Sequence, residues 1–236
     1  MTLRWLICFS ASLLPLCAAG VSGRVELRDS RYAAVRNRHD YSGVVIALTP
    51  LEGTTPQAAG KHWVMLQKNK TFSPHVLAIQ AGSVVEFPNA DPIFHNAFSS
   101  YNGQIFDIGL YPPGTTRSVK FARPGVVRVF CNIHASMSAL IVVVASPYFA
   151  ATKQDGSFSI ADVPPGQYNL TVFHERASEA TLAGLSRKIN AGLEDVSLPN
   201  IVISEAGYLS IPHKNKYGHD YPPDSGDPAA YPGSKP

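Results

Sequence analysis

A predicted strand that ends in a cysteine most constrains what this chain can fold into. Side chains of a strand alternate between its two faces, so over residues 126–131 Cys131 shares a face with two valines. Arg128 lies on the opposite, wetter face, which indicates that Cys131 points into a core at the end of the strand. His134 and Met137 follow in steps of three residues, so one short loop carries a thiol, an imidazole and a thioether.

The cysteine count makes this thiol unusual. Cys8 and Cys17 fall in an N-terminal stretch with a positively charged start, an apolar run and then small residues. This pattern is typical of a secretory signal peptide, which we predict over residues 1–20, and the run is too short for a membrane anchor. A lipoprotein signal ending at Cys17 is a weaker alternative because the preceding Leu16 is bulky. Without the signal peptide Cys131 is unpaired in an oxidising compartment, where burial or a bound metal would protect it.

A second stretch, residues 87–98, offers a further ligand and polar neighbours. It contains Asn89, Asp91, His95 and Asn96 between phenylalanines. The interval from this histidine to the cysteine has room for two strands and their turns, enough to return the histidine to the loop in a sandwich. A thiolate, two imidazoles and a thioether are the donor set of a blue-copper centre. The sequence therefore predicts one type 1 copper site with the ligands His95, Cys131, His134 and Met137.

Simpler explanations exist for each of these residues taken alone. A buried cysteine or Met137 is often only a core side chain, and Asn89 and Asp91 are typical turn residues. Zinc also takes cysteine and histidine, but methionine is a poor zinc ligand and no second cysteine remains. Copper(I) held for storage suits the same soft donors, so storage stays open as an alternative.

Composition favours an all-β chain. The sequence has 18 glycines and 19 prolines, with many Val, Ile, Phe and Tyr, as expected for short strands and frequent turns. One short helix is predicted at 176–185, and residues 29–41 are predicted to form a loop. The 20 basic and 17 acidic residues form no basic run, so no nucleic-acid partner is expected. Strands are predicted at 24–27, 42–49, 62–67, 71–80, 83–87, 106–110, 117–121, 126–131, 140–145, 149–151, 157–160, 167–173 and 198–204.

Residues 63–145 resemble a cupredoxin of the plastocyanin, azurin and amicyanin family. The motifs that carry the resemblance are Phe-Pro-Asn-Ala-Asp from residue 87, Phe-His-Asn from residue 94 and Cys-Asn-Ile-His-Ala-Ser-Met from residue 131. The resemblance implies a Greek-key β-sandwich, with Asn96 and Asn89 supporting the metal from a second layer. It also implies equatorial ligands at His95, Cys131 and His134 and an axial ligand at Met137. Ile133 and Ala139 depart from residues common in the family, which bears on the potential and the axial distance.

The rest of the chain resembles a second β-sandwich. Residues 146–204 are similar to a carboxypeptidase regulatory-like, or transthyretin-like, domain, through Asp-Gly-Ser-Phe from residue 155 and Val-Pro-Pro-Gly-Gln-Tyr from residue 163. The whole chain is similar to secreted cupredoxin-like proteins often labelled methylamine utilization proteins. The predicted segments are a signal peptide at 1–20, N-terminal strands of the second sandwich at 21–58, a cupredoxin domain at 59–146, a carboxypeptidase regulatory-like domain with a carbohydrate-binding-like fold at 147–210, and a disordered tail at 211–236.

The functional expectation is a periplasmic copper protein that transfers electrons to and from a redox protein partner. Copper carriage in the periplasm and a metal-free scaffold or adhesion module are the alternatives. The sequence shows no general acid–base pair and no nucleophile elbow, so we do not expect an enzyme. His213 and His219 in the tail are expected to be solvated spacers more often than ligands, since no predicted strand or helix preorganises them. The oligomeric state is left undecided.

Overall fold

The structure is a computed structural model that describes residues 19–56, 60–100, 103–210 and 212–222. It is built almost entirely of strands, which confirms the predicted all-β class. Most of the predicted signal peptide, residues 1–18, lies outside the described residues. Ala19 and Gly20, which the prediction assigned to that peptide, are the first residues of the first strand. Within the described ranges no helix is long and apolar enough to cross a bilayer.

The described residues form short strands and two short helices in chain order. The helices are α1 (Ala33–Arg38) and α2 (Glu179–Leu185). The strands are β1 (Ala19–Arg28), β2 (Val45–Pro50), β3 (His62–Val64), β4 (Leu66–Lys68), β5 (Thr71–Ser73), β6 (Val76–Gln80), β7 (Ser83–Pro88), β8 (Phe98–Ser99), β9 (Phe106–Asp107), β10 (Thr116–Phe121), β11 (Gly125–Phe130), β12 (Ser138–Val144), β13 (Phe149–Ala151), β14 (Ser157–Val163), β15 (Gly166–Phe173), β16 (Arg187–Ala191), β17 (Val196–Ser197) and β18 (Ile201–Ser204).

The first unit is a sandwich made from β1 and β2 together with β13 to β18. One sheet has the order β14-β1-β17, with β18 also paired to β1, and the other has the order β13-β2-β15-β16. Apolar side chains from both sheets meet in one core, among them Val25, Leu48 and Leu170. The predicted N-terminal segment 21–58 therefore shares a core with strands of the predicted segment 147–210.

The second unit is inserted between β2 and β13. Its two sheets have the orders β10-β7-β3 and β6-β12-β11-β8-β9, and β4 and β5 form a separate hairpin. Phe87, Val129 and Ile141 from these sheets share a second core. The alternating burial of β11 follows from its position, since one face lies on this core and the other carries the exposed Arg128.

The two units pack against each other through a small apolar cluster and a polar contact. Val45 of the first unit meets Ala78 and Val142 of the second. Nearby, the ring of His75 lies 2.9 Å from a carboxylate oxygen of Glu175. The insertion is therefore attached to the first unit by side chains as well as by its two chain connections.

Two local predictions from the sequence are wrong. Residues 29–41 were predicted to form a loop but contain α1, which buries Val35 and ends at His39 in a left-handed conformation. An Asp-Gly pair between two short predicted strands, as at residue 155, predicts a hairpin, but the strands on either side belong to different sheets. Gly156 has φ +81°, and a Cβ there would collide with the carbonyl oxygen of Val25, so the turn requires glycine.

The tail differs from the predicted disorder where the structure describes it. Residues 212–222 make hydrogen bonds with the second unit, three of which reach Cys131, Asn132 and Ala135. Ile211 and residues 223–236 lie outside the described residues. This segment therefore lies on the loop that carries the predicted metal ligands.

Candidate metal centre

The ligand loop begins where β11 leaves its sheet. Cys131 is the first residue after the strand and is completely buried, on the same face as two buried valines. The amide of Cys131 donates to the carbonyl of Met137 at 3.2 Å, and the amide of Met137 donates to the carbonyl of His134 at 3.1 Å. These two hydrogen bonds fold the seven-residue loop back on itself before β12 begins.

Three predicted ligands converge at this loop. The Sγ atom of Cys131 lies 3.4 Å from Nδ1 of His134 and 4.0 Å from Nδ1 of His95. The two imidazole rings are tilted against each other with centroids 4.8 Å apart. A metal with bonds of about 2.0 Å to nitrogen and about 2.3 Å to sulfur separates such atoms by roughly 3.5 Å. The observed spacing therefore fits three donors around one soft metal ion.

The fourth predicted ligand, Met137, lies in the same buried core as Cys131. Its side chain is fully buried in the second unit's core cluster. The loop hydrogen bonds to Cys131 and His134 hold its backbone beside theirs. Its burial is consistent with either an axial thioether or a core side chain, and its role as a ligand stays a prediction.

A buried carboxylate fixes the ring of His95. Nε2 of His95 lies 2.8 Å from Oδ2 of Asp91, and a carboxylate only accepts hydrogen bonds, so the proton is on Nε2. Nδ1, the nitrogen that faces Cys131, is then the one with a free lone pair. An imidazole oriented by a carboxylate on its far nitrogen is the usual arrangement of a metal-binding histidine. The backbone of His95 is also paired with that of Tyr111 in both directions.

Asp91 is itself held by a turn. Its two carboxylate oxygens accept the amides of Asn69 at 2.6 Å and Lys70 at 2.8 Å, at the tip of the β4–β5 hairpin. Burial acts to raise the pKa of Asp91, but these amides and His95 outweigh it and hold the pKa below its usual value. The carboxylate therefore stays ionised and fixed in orientation beneath the histidine.

Two asparagines brace the backbone around the site. Asn89 donates to the carbonyl of Ile93 at 2.8 Å and accepts the amide of Asp91 at 3.1 Å. Asn96 accepts the amide of Asn132 at 3.2 Å, which ties the histidine segment directly to the ligand loop. Both contacts act on backbone groups beside the predicted ligands.

Burial favours the uncharged forms of Cys131 and His95 before a metal binds. Burial raises the pKa of the Cys131 thiol, and the nearby backbone groups that oppose this are weaker. Burial lowers the pKa of His95, although Asp91 acts in the opposite direction. A buried thiol and a neutral imidazole avoid burying charge, and a metal ion would displace the thiol proton.

Sequence reasoning missed several residues that support this site. Asp91 was noted only as part of a motif, although its spacing of four residues from His95 is a usable signal once a tight turn is assumed. Tyr111 was not singled out; its hydroxyl donates to the carbonyl of Phe87 at 2.8 Å and contacts Gln67. The contacts of the tail had no signal in the sequence.

The remaining histidines do not join the predicted site. Among the described residues, the only group of three or more His, Cys, Asp or Glu residues arranged to hold a metal is His95, Cys131 and His134. His213 contacts the ligand loop through a carbonyl rather than through another ligand, and His219 is exposed. His174 lies in the first unit against Glu205.

No protein-family model and no curated protein matches this chain. Parts of it are similar to a copper-containing nitrite reductase from Thermus scotoductus SA-01, at 23% identity and a TM-score of 0.35 over 41% of this chain and 25% of that one. A purple cupredoxin from Nitrosopumilus maritimus is similar at 23% identity and a TM-score of 0.32, over 35% of this chain and 99% of that one. A reduced amicyanin mutant is similar at 16% identity and a TM-score of 0.34, over 42% and 98%. The chain thus spans about a quarter of the nitrite reductase, and each of these similarities covers less than half of this chain.

Proposed function

We propose that this protein binds one copper ion in a type 1 site and transfers electrons. The observation that carries the proposal is the convergence of the Cys131 sulfur with Nδ1 of His95 and Nδ1 of His134. A thiolate with two imidazoles is the donor set that copper favours in electron-transfer sites, and Met137 is the proposed weak axial donor. The chain is proposed to act as a carrier of electrons and not as an enzyme.

The protein's own residues would hold this site in one arrangement. A bound copper ion would supply the chemistry, by accepting and releasing one electron. Asp91 orients the ring of His95, Asn96 fixes the start of the loop, and the buried core around Cys131 excludes water. Because these groups are packed, the donors move little when the charge at the site changes. A site that moves little has a small reorganisation energy, which favours fast electron transfer.

The surface beside the loop is the proposed contact for a redox protein partner. Phe94, next to the ligand His95, is 40% exposed, and Ile133 of the loop is partly exposed. Complexes between redox proteins use small and transient interfaces, for which a few apolar side chains suffice. The proposed location is the periplasm, on the basis of the predicted signal peptide.

Copper binding is tested by equilibrium dialysis of the full chain against copper, with Cys131→Ser as the matched variant. We expect one copper ion per wild-type chain. Because the variant lacks the thiolate, its affinity should fall well over a hundredfold, beyond the 10- to 100-fold typical of losing an outer contact. Equal binding by the two proteins would refute the site.

Two measured rates distinguish electron transfer from copper carriage. Stopped-flow mixing of the Cu(II) protein with a small reductant gives the electron-transfer rate, and mixing of the Cu(I) protein with a coloured Cu(I) chelator gives the release rate. The proposal expects fast reduction and slow release. Slow reduction with fast release would favour copper carriage instead.

A further inference from the structure

The end of the described chain lies across the ligand loop. We define the C-terminal strap as residues 212–222. The ring of His213 in this strap stacks on the ring of Phe130, with centroids 4.0 Å apart. Phe130 is the last residue of β11, directly before Cys131, and is only 6% exposed although it lies on the face that alternation assigns to the solvent side. The strap therefore covers the point where the strand becomes the loop.

Tyr221 of the strap holds a carbonyl of a predicted ligand. Its hydroxyl donates to the carbonyl oxygen of Cys131 at 2.8 Å. The same hydroxyl lies 3.2 Å from Nδ1 of His213, and the two rings meet edge to face. The Tyr221 and His213 side chains thus pack against each other beside the loop.

His213 holds a second carbonyl of the loop. Its Nε2 lies 2.9 Å from the carbonyl oxygen of Ala135, the residue directly after His134. A carbonyl oxygen only accepts, so Nε2 carries the proton in this contact. The strap therefore grips the loop on both sides of His134, at residue 131 and at residue 135.

Lys216 links the ligand loop to the segment that contains His95. Its amide donates to Oδ1 of Asn132 at 2.9 Å, and its Nζ lies 2.7 Å from Oδ2 of Asp107. The other oxygen of Asp107 accepts from Asn96 at 2.8 Å, and Asn96 in turn accepts the amide of Asn132. Lys216 of the strap thus connects the ligand loop to Asp107 and, through it, to Asn96 beside His95.

From this geometry we propose that Tyr221 and His213 are positioning residues of the metal centre, through which the C-terminal strap clamps the ligand loop and slows loss of the metal. The proposal rests on the proposed copper function. The loop must open for Cys131 and His134 to release an ion, because both side chains are buried. Opening breaks the contacts of the strap, so the strap adds to the barrier.

The test compares two tyrosines of the same segment. Tyr221→Phe removes the hydroxyl that reaches Cys131, and Tyr217→Phe makes the same change at a residue that is 68% exposed. Cu(I) release to a coloured chelator is measured from the full chain. Removal of one support of a metal-binding loop typically costs 10- to 100-fold in affinity, so we expect release about tenfold faster in Tyr221→Phe and unchanged in Tyr217→Phe. Equal release rates in the two variants would overturn the proposal.

A second measurement does not depend on copper. Hydrogen exchange of the loop amides 132–137 is followed in the metal-free chain, with His213→Ala compared with His219→Ala. The clamp predicts exchange several-fold faster in His213→Ala only, with amides of the first unit unchanged. A uniform increase throughout the chain would mean that His213 only stabilises the fold, and would refute a positioning role. If His213→Ala does not fold, Tyr221→Phe provides the same comparison.

These results distinguish failure of the strap from failure of the proposed function. A wild-type chain that retains no copper refutes both, whatever the exchange data show. A wild-type chain that binds copper and releases it at the same rate as Tyr221→Phe refutes the clamp alone. A reduction potential that shifts in Tyr221→Phe but not in Tyr217→Phe supports the clamp, since a residue that only stabilises the fold leaves the potential unchanged.

Discussion

Each unit of this protein buries a histidine against a carboxylate, and the two pairs differ in what surrounds them. In the second unit Nε2 of His95 lies 2.8 Å from Asp91, and in the first unit Nε2 of His174 lies 2.8 Å from Glu205. Both rings are almost fully buried. A histidine–carboxylate pair is therefore not by itself a sign of a metal site.

The difference lies at the other ring nitrogen and at the carboxylate. Nδ1 of His95 faces the sulfur of Cys131, whereas Nδ1 of His174 has no hydrogen-bond partner among the residues that the structure describes. Glu205 also accepts from Arg176 at 2.9 Å and from Ser30 at 2.5 Å, so its charge is balanced inside the first unit. The His95–Asp91 pair is proposed to serve a metal ion, whereas the His174–Glu205 pair belongs to an ion-pair network of the first unit.

The strongest test of this contrast replaces each histidine by alanine. His95→Ala should lower copper affinity well over a hundredfold, because it removes a proposed ligand rather than an outer support. His174→Ala should leave copper affinity unchanged and lower the free energy of unfolding by about 1–3 kcal/mol, the cost of losing a buried hydrogen bond. Copper competition titrations and urea unfolding measure the two quantities. Equal losses of affinity in the two variants would break the comparison.

Lowering the pH should reduce the free energy of unfolding through the ion-pair network of Glu205. Burial acts to raise the pKa of Glu205, but hydrogen bonds from His174, Arg176 and Ser30 outweigh it and hold the pKa at about 2. A folded pKa below the unfolded value stabilises the protein above pH 4.5, and this contribution is lost as the pH falls from 4.5 towards 2. The loss should be about 3 kcal/mol in the free energy of unfolding.

Urea unfolding between pH 7 and pH 2.5 measures this loss. Glu205→Gln should remove most of that part of the pH dependence, since glutamine does not titrate. The control is Glu194→Gln, at an exposed glutamate of the same unit, which should leave the pH dependence of the free energy of unfolding unchanged. If the pH dependence of Glu205→Gln matches wild type, the network is not the source of the effect.

A smaller effect is expected from the carboxylate beneath His95. Asp91→Asn keeps the size of the side chain but loses the charge that holds the imidazole proton on Nε2. We expect copper affinity to fall about 10- to 100-fold, the usual cost of changing such a support. Glu205→Gln is the matched change in the other pair and should leave copper affinity at the wild-type value. Both are read from the same copper competition titration.

The smallest expected effect is at short polar side chains beside each pair. Asn96→Ala removes the acceptor of the Asn132 amide and a donor to Asp107. Ser30→Ala removes a donor to Glu205 and the acceptor of the Tyr32 amide. Each should lower the free energy of unfolding by about 1–2 kcal/mol. Only Asn96→Ala should also speed hydrogen exchange in the ligand loop, as seen by mass spectrometry of metal-free protein. Faster loop exchange in Ser30→Ala would show that a change in the first unit alters the ligand loop, and it would contradict the contrast between the two pairs.

Local sequence patterns predicted much of the second unit. Alternation in β11 predicted that Cys131 points into a core, and the structure buries it completely. The steps of three residues to His134 and Met137 predicted one compact loop, which two backbone hydrogen bonds close. These features depend on neighbours in sequence, so a local pattern can report them.

Features that depend on distant contacts escaped prediction. Alternation places Phe130 on the same wetter face as Arg128, yet Phe130 is buried, and both Phe98 and His213 of the tail pack on it. Tail residues rich in Pro, Gly and charge have no periodic pattern, so their contacts with Cys131 and Asn132 left no signal. The role of Asp91 likewise needs the β4–β5 turn, whose two amides reach its carboxylate from more than twenty residues away.

The visible absorption and EPR spectra of the copper-loaded chain test the central claim most directly. The account predicts an intense thiolate-to-copper charge-transfer band in the Cu(II) protein that is absent from Cys131→Ser. A weak spectrum typical of copper bound only by nitrogen and oxygen, or an intense band that survives in Cys131→Ser, would contradict it.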